Sequence, residues 1–89
     1  MNKSIKEISK IIAKSDEKFV EELLLQILTE NEIDELAKRW ELMKLLMKHI
    51  PQRKISELLG ISLCKITRGS RELKKKDSAL AKSIKGTVK

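Results

Sequence analysis

The sequence predicts an all-α protein, and three observations carry that prediction. Apolar residues recur three or four positions apart, whereas the strict alternation of a half-buried strand is rare. Proline occurs once, at Pro51, and glycine three times, at Gly60, Gly69 and Gly86, so strong breakers are few. Residues able to cap a helix stand ahead of several apolar runs. A chain of 89 residues has room for one domain built from about six short helices.

The elements follow in order. Ile5, Ile8, Ile11 and Ile12 line one face of a first helix, with Ser4 and Glu7 spaced as a capping box at its start. Ser15 and Asp16 end that helix or cap the next. Phe19-Val20, Leu23-Leu24-Leu25 and Ile27-Leu28 then make a second helix apolar on more than one face, which demands cover on several sides. A second subunit is a natural source of that cover in so short a chain. Thr29-Glu30-Asn31-Glu32 has the form of a capping box and opens the longest helix, running to about His49. Ile33, Leu36, Ala37, Trp40, Met43, Leu46 and Met47 mark its expected buried stripe, with Trp40 and the methionines as core. Pro51 stops that helix or starts the next. A final short helix is expected over residues 78–84, followed by a frayed tail over 85–89.

Composition narrows the function. Residues 1–43 carry a net charge of −3 and residues 44–89 a net charge of +10, so all the excess positive charge of a +7 chain lies in its second half. That asymmetry fits a polyanion-binding face, and equally a helical protein with a basic tail. The single cysteine, Cys64, excludes an internal disulfide and a cysteine-based zinc site; the single histidine, His49, makes a metal centre or a Ser-His-Asp triad improbable. No paired acid and base, partnered nucleophile or phosphate loop is present, so no catalytic residue is assigned. His49 is read as a helix-end residue near the dipole, and Cys64 as an exposed thiol beside a lysine. No apolar run is long enough to span a membrane and the first residues lack a secretory h-region, so a cytoplasmic protein is expected.

The segment over residues 52–68 has the pattern of a helix-turn-helix. Ile55, Leu58 and Leu59 are spaced to face a core, Ser56 is small where a second helix must cross, and Gly60 can take the left-handed conformation that ends the first helix. Ile61 fills the gap between the helices, Ser62 can cap the second, and Ile66 packs it down. The second helix then presents Leu63, Cys64, Lys65, Thr67 and Arg68 near its N-terminal end, the end that enters the major groove in this motif. An ordinary helical corner has the same spacing. The clustering of Arg53, Lys54, Lys65, Arg68, Arg71 and Lys74 favours contact with phosphates.

Ile66-Thr67-Arg68-Gly69-Ser70, followed by Leu73-Lys74, resembles the most characteristic stretch of the Trp repressor family. Gln52-Arg53, Ile55 and Leu59-Gly60 match the preceding helix of that family's reading head. Leu28-Thr29, Glu32, Leu36, Arg39 and Leu45-Leu46 match the helices before it, so the resemblance covers residues 28–74.

The resemblance implies an intertwined all-helical homodimer that acts as a transcriptional repressor on a palindromic operator in double-stranded DNA, with L-tryptophan as corepressor. Residues 1–49 would dimerise, 52–74 would form the helix-turn-helix, and 78–89 a short helix and tail. On the DNA side it implies Gln52 and Arg53 at the start of the first helix, Ser62, Leu63, Cys64, Lys65, Thr67 and Arg68 on the second, and Lys74 at a phosphate. For L-tryptophan it implies Arg39 near the carboxylate, Arg68 stacked on the indole, Gly69 beside it, and Leu28 and Thr29 from the other subunit. A guanidinium suits both tasks, since it pairs with carboxylate and stacks on an aromatic plane. Glu72 takes the place of a small hydroxyl residue near the ligand amino group, Gln26 replaces an apolar wall residue, Lys65 replaces a short hydroxyl, and one residue is missing between Lys48 and Gln52. The same fold with another ligand or none, and a helical module that uses its basic half on an acidic protein, stay open beside that reading.

Overall fold

The computed structural model describes residues 2–87 and is helical throughout, with no strand among the described residues. Six helices follow one another: α1 (Lys3–Lys14), α2 (Glu17–Ile27), α3 (Glu30–Met47), α4 (Gln52–Leu59), α5 (Leu63–Lys74) and α6 (Ala79–Thr87). The chain divides into two compact units, Met1–Asp34 and Glu35–Lys89.

The first unit is a set of well-capped helices. Asn2 caps α1, its Oδ1 accepting from the Ser4 and Ile5 amides at 3.0 and 3.2 Å. The expected Ser4–Glu7 box is not formed, because Ser4 already lies inside the helix as a recipient of that cap. Asp16 caps α2 through the Phe19 amide at 2.9 Å. The Thr29–Glu32 box is present in both directions: the Thr29 amide donates to Glu32 Oε1 at 2.8 Å, and the Glu32 amide to Thr29 Oγ1 at 3.1 Å. Neither α1 nor α2 contains a buried residue, and Ile5, Ile11, Phe19, Leu24, Leu25 and Ile27 are exposed.

The second unit holds the core. Leu42, Met43, Ile55, Ile66 and Ile84 are buried, and Leu45, Leu46, Met47, Ile50, Leu59, Ile61, Leu73 and Leu80 pack around them. The α4–α5 corner follows the sequence pattern closely. Gly60 adopts φ 65° and ψ 35°, its amide closing α4 on the Ser56 carbonyl at 2.9 Å. The Ser56 hydroxyl then donates to the Ile61 carbonyl at 2.7 Å, tying the last turn of α4 across the corner. Ser62 caps α5 by accepting from the Lys65 amide.

Besides the Ser4–Glu7 box, three expectations change, and the end of α3 closes in a form that the spacing does not announce. Leu58 is 61% exposed, because α5 covers only the Ile55–Leu59 side of α4. Leu36, Ala37 and Trp40 are also exposed, because α3 buries only Leu42 and Met43 within this unit. His49 follows α3 with φ 62°, its amide donating to the Leu46 carbonyl and the Ile50 amide to the Leu45 carbonyl. That is a Schellman closure with histidine where glycine is usual. Finally, α6 starts at a Ser78 cap and continues to Thr87, since Ile84 is fully buried and anchors its second turn. The expected frayed tail thus falls partly within the helix, and its residues 88 and 89 lie outside the described residues.

Chemical denaturation should separate the two faces of α4. Ile55→Ala is expected to cost about 2–4 kcal/mol through a core cavity, and Leu58→Ala to stay within about 0.5 kcal/mol. Ser56→Ala should cost about 1 kcal/mol by leaving the Ile61 carbonyl without its hydroxyl partner.

Candidate functional site

The residues singled out for ligand and DNA contact meet on α5, where the ligand set also draws on α3, the DNA set also draws on α4, and Arg68 belongs to both. Gly69 brings α5 against α3. A Cβ at this position would lie 2.9 Å from Met43 Cε and 3.2 Å from Leu42 Cδ2, so only glycine permits the approach without movement of those side chains. Beside that contact opens a cleft of about 210 Å³ lined by Arg39, Leu42, Met43, Lys65, Arg68, Gly69 and Glu72. Its floor is apolar and its rim is charged.

Four of the six expected ligand residues therefore share one cleft: Arg39 from α3, and Arg68, Gly69 and Glu72 from α5. Leu28 and Thr29 belong to the first unit. Leu28 ends α2, and the Thr29 hydroxyl and carbonyl serve the start of α3. Arg39 approaches Glu35 at 4.0 Å one turn earlier, an exposed pair that restrains it weakly. Both carboxylate oxygens of Glu72 meet Lys75 Nζ, at 3.1 and 3.0 Å. Lys65, which the sequence pattern assigns to DNA alone, lines this cleft and also a smaller one with Glu35, Lys38, Arg39 and Ile61. Leu42 and Met43 are further cleft residues that sequence reasoning misses as such. The signal for them is their position three and four residues after Arg39, on the same helix face.

The expected DNA residues are exposed together. Gln52 and Arg53 open α4, Leu63, Cys64 and Lys65 form the first turn of α5, and Thr67, Arg68 and Lys74 follow along it. Ser62 is exposed while its hydroxyl caps the helix. Thr67 donates to the Leu63 carbonyl at 2.9 Å and has Gln52 Oε1 3.5 Å away, so the start of α4 and the middle of α5 share this face. Cys64 is a free, exposed thiol. Ile66, between Lys65 and Thr67, is fully buried and fixes the helix's rotation.

Comparison with known proteins matches the profile of the Trp repressor protein family to residues 3–87. This chain belongs to the Trp repressor family. Among curated relatives of the family, the Trp operon repressor homolog of Vibrio parahaemolyticus is 39% identical over 66 residues, covering 73% of this chain and 64% of the relative. That of Vibrio vulnificus is 38% identical over 72 residues, covering 75% and 71%. That of Chlamydia trachomatis serovar L2 is 37% identical over 62 residues, covering 68% and 66%. The chain spans a little under two thirds of the length of the Vibrio parahaemolyticus relative. No solved structure gives a significant match. Among the described residues, no helix is long and apolar enough to cross a membrane. The Trp repressor match extends well beyond the residues 28–74 that carry the motif, and it takes in α1, α2 and α6.

Side-chain volume at position 69 should set how closely α5 packs on α3. Gly69→Ala displaces the mobile end of Met43, presses on Leu42, and should change stability by less than about 1 kcal/mol, helix propensity offsetting part of the clash. Gly69→Leu should cost about 1–3 kcal/mol by overpacking. Thermal unfolding of the two variants checks both values.

Proposed function

We propose that this chain is a transcriptional repressor that binds a palindromic operator in double-stranded DNA as a homodimer, with L-tryptophan as corepressor. The observation that carries the proposal is the two-sided character of α5 in a member of the Trp repressor family. One side lines a charged cleft with Arg39, and the other exposes a row of polar, basic and small apolar side chains.

In this reading α4 and α5 form the helix-turn-helix over residues 52–74. The first turn of α5 enters the major groove, where Leu63 and Cys64 offer apolar contact to a thymine methyl and Lys65 and Thr67 offer polar contact. Arg53, Arg68 and Lys74 hold phosphates. Base reading by such a head includes bridging water, for which the Trp repressor bound to its operator is the familiar example. Residues 1–49 dimerise, and the exposed apolar positions of α1 and α2 support that assignment, because each helix is capped yet buries nothing. Two-fold symmetry then sets two recognition helices about one DNA turn apart. L-tryptophan lies in the cleft with its carboxylate at Arg39 and its indole against Arg68 and Gly69, while Leu28 and Thr29 of the second subunit complete the wall. Ligand occupancy fixes the angle of the reading head. The chain acts as a regulator rather than an enzyme, and acts in the cytoplasm.

A second reading keeps the DNA-binding dimer and changes the ligand. Glu72 favours it, since a carboxylate with its lysine partner sits on the cleft rim.

Calorimetric titration with L-tryptophan, with L-phenylalanine as control, tests the corepressor. Saturation at one site per subunit, selective for tryptophan, is the expected result; no saturation would leave the second reading. Operator affinity should fall at least ~10³-fold between 50 and 200 mM salt if six or more phosphates are contacted. A salt-insensitive affinity, or equal binding to any polyanion, would count against sequence-specific repression. Arg68→Ala should weaken both ligand and operator binding, and unchanged affinity for both would remove Arg68 from the site.

A further inference from the structure

We infer that Lys65 is a ligand-binding residue of the α3–α5 cleft, where it recognises the ligand's carboxylate and sets a preference for anionic ligands. The inference rests on the cleft being the corepressor site, as proposed above, and adds to it a residue whose assigned task was DNA contact.

Three observations support it. Lys65 lines the cleft together with Arg39, Arg68 and Glu72. It stands three positions before Arg68 and seven before Glu72, so the three form one stripe along α5, about 10 Å long at 1.5 Å per residue. Two cations come first on that stripe and the acid last. Among the described residues, Lys65 and Arg68 make no ion pair, whereas Arg39 leans on Glu35 and Glu72 is held by Lys75. The cleft therefore presents two cations without an acidic partner at the end nearer the corner, and an acid already engaged at the other end.

A carboxylate held between Arg39 and Lys65, which line the cleft together, answers the excess positive charge and leaves Arg68 to the aromatic ring. The cations close the contact with charge-assisted hydrogen bonds, which are stronger than neutral ones. A zwitterionic amino acid then lies with its carboxylate shared by Arg39 and Lys65 and its ammonium toward Glu72.

The test uses the full-length protein without DNA and two probes, L-tryptophan and L-tryptophanamide. The amide keeps the indole and the ammonium and lacks the carboxylate charge. Lys65→Met is expected to weaken L-tryptophan binding about tenfold, while Lys65→Arg retains most of the affinity. L-tryptophanamide should bind wild type and Lys65→Met equally. Because Lys65 is exposed, both variants are expected to unfold at the wild-type temperature. Equal L-tryptophan affinity of Lys65→Met and wild type would overturn the inference and leave the corepressor site standing. An equal loss for both probes would also overturn it, by showing a contact that does not read the carboxylate. Failure of wild type to bind either probe would overturn the corepressor reading, and this inference with it.

Discussion

The structure turns on the close approach of α5 to α3 at Gly69. With no side chain there, the helix backbone comes within reach of Met43 and Leu42, and a single added carbon would already press on both. That approach does two jobs. It seals the core side of α5, where Ile66 is fully buried, and it brings the flanking residues Lys65, Arg68 and Glu72 up to Arg39. The corner before α5 limits its alternatives. Gly60 turns the chain, Ser56 ties the end of α4 to Ile61, and Ser62 fixes where α5 begins. A rotation of α5 that improved its outer face would lift Ile66 out of the core, so packing sets the orientation that the charged side chains inherit.

One helix therefore divides its circumference between tasks with opposite needs. The buried face wants tight apolar contact, the cleft face wants room and separated charge, and the outer face wants exposed, varied side chains. Twelve residues in α5 give a little over three turns, enough for each face to recur along its length. Lys65 lies where the last two faces meet.

Local signals are legible in the sequence where one residue's chemistry decides one backbone event. The left-handed Gly60, the Ser62 cap and the reciprocal Thr29–Glu32 box all belong to this class, and so does the convergence of Arg39, Arg68, Gly69 and Glu72, which a family resemblance implies. The departures share a different cause. Spacing assigns Leu58, Leu36 and Trp40 inward, but spacing tells which residues share a helix face and not what covers it. Within one chain the second unit covers Leu42 and Met43 and leaves Trp40 36% exposed. The left-handed His49 is illegible because nothing in a histidine announces that conformation; the hydrogen bonds of Leu45 and Leu46 impose it. Asn2 outcompetes the Ser4–Glu7 box because its side chain reaches two amides at once.

The capped but coreless helices α1 and α2 have a consequence for how firmness is distributed along the chain. A cap contributes about 1 kcal/mol, whereas ordering a residue costs about 1–2 kcal/mol of backbone entropy. Two helices of 12 and 11 residues with no buried side chain cannot meet that cost from their own contacts. In the homodimer proposed above, association supplies the remainder, and the order of these helices then depends on how many molecules are present. The N-terminal amides then form the layer that opens first to solvent exchange and to proteases, while the amides around Ile55 and Ile66 open last. Under that proposal a chain diluted below its association threshold loses α1 and α2 before the α4–α5 corner, and abundance itself becomes a variable to which the fold responds.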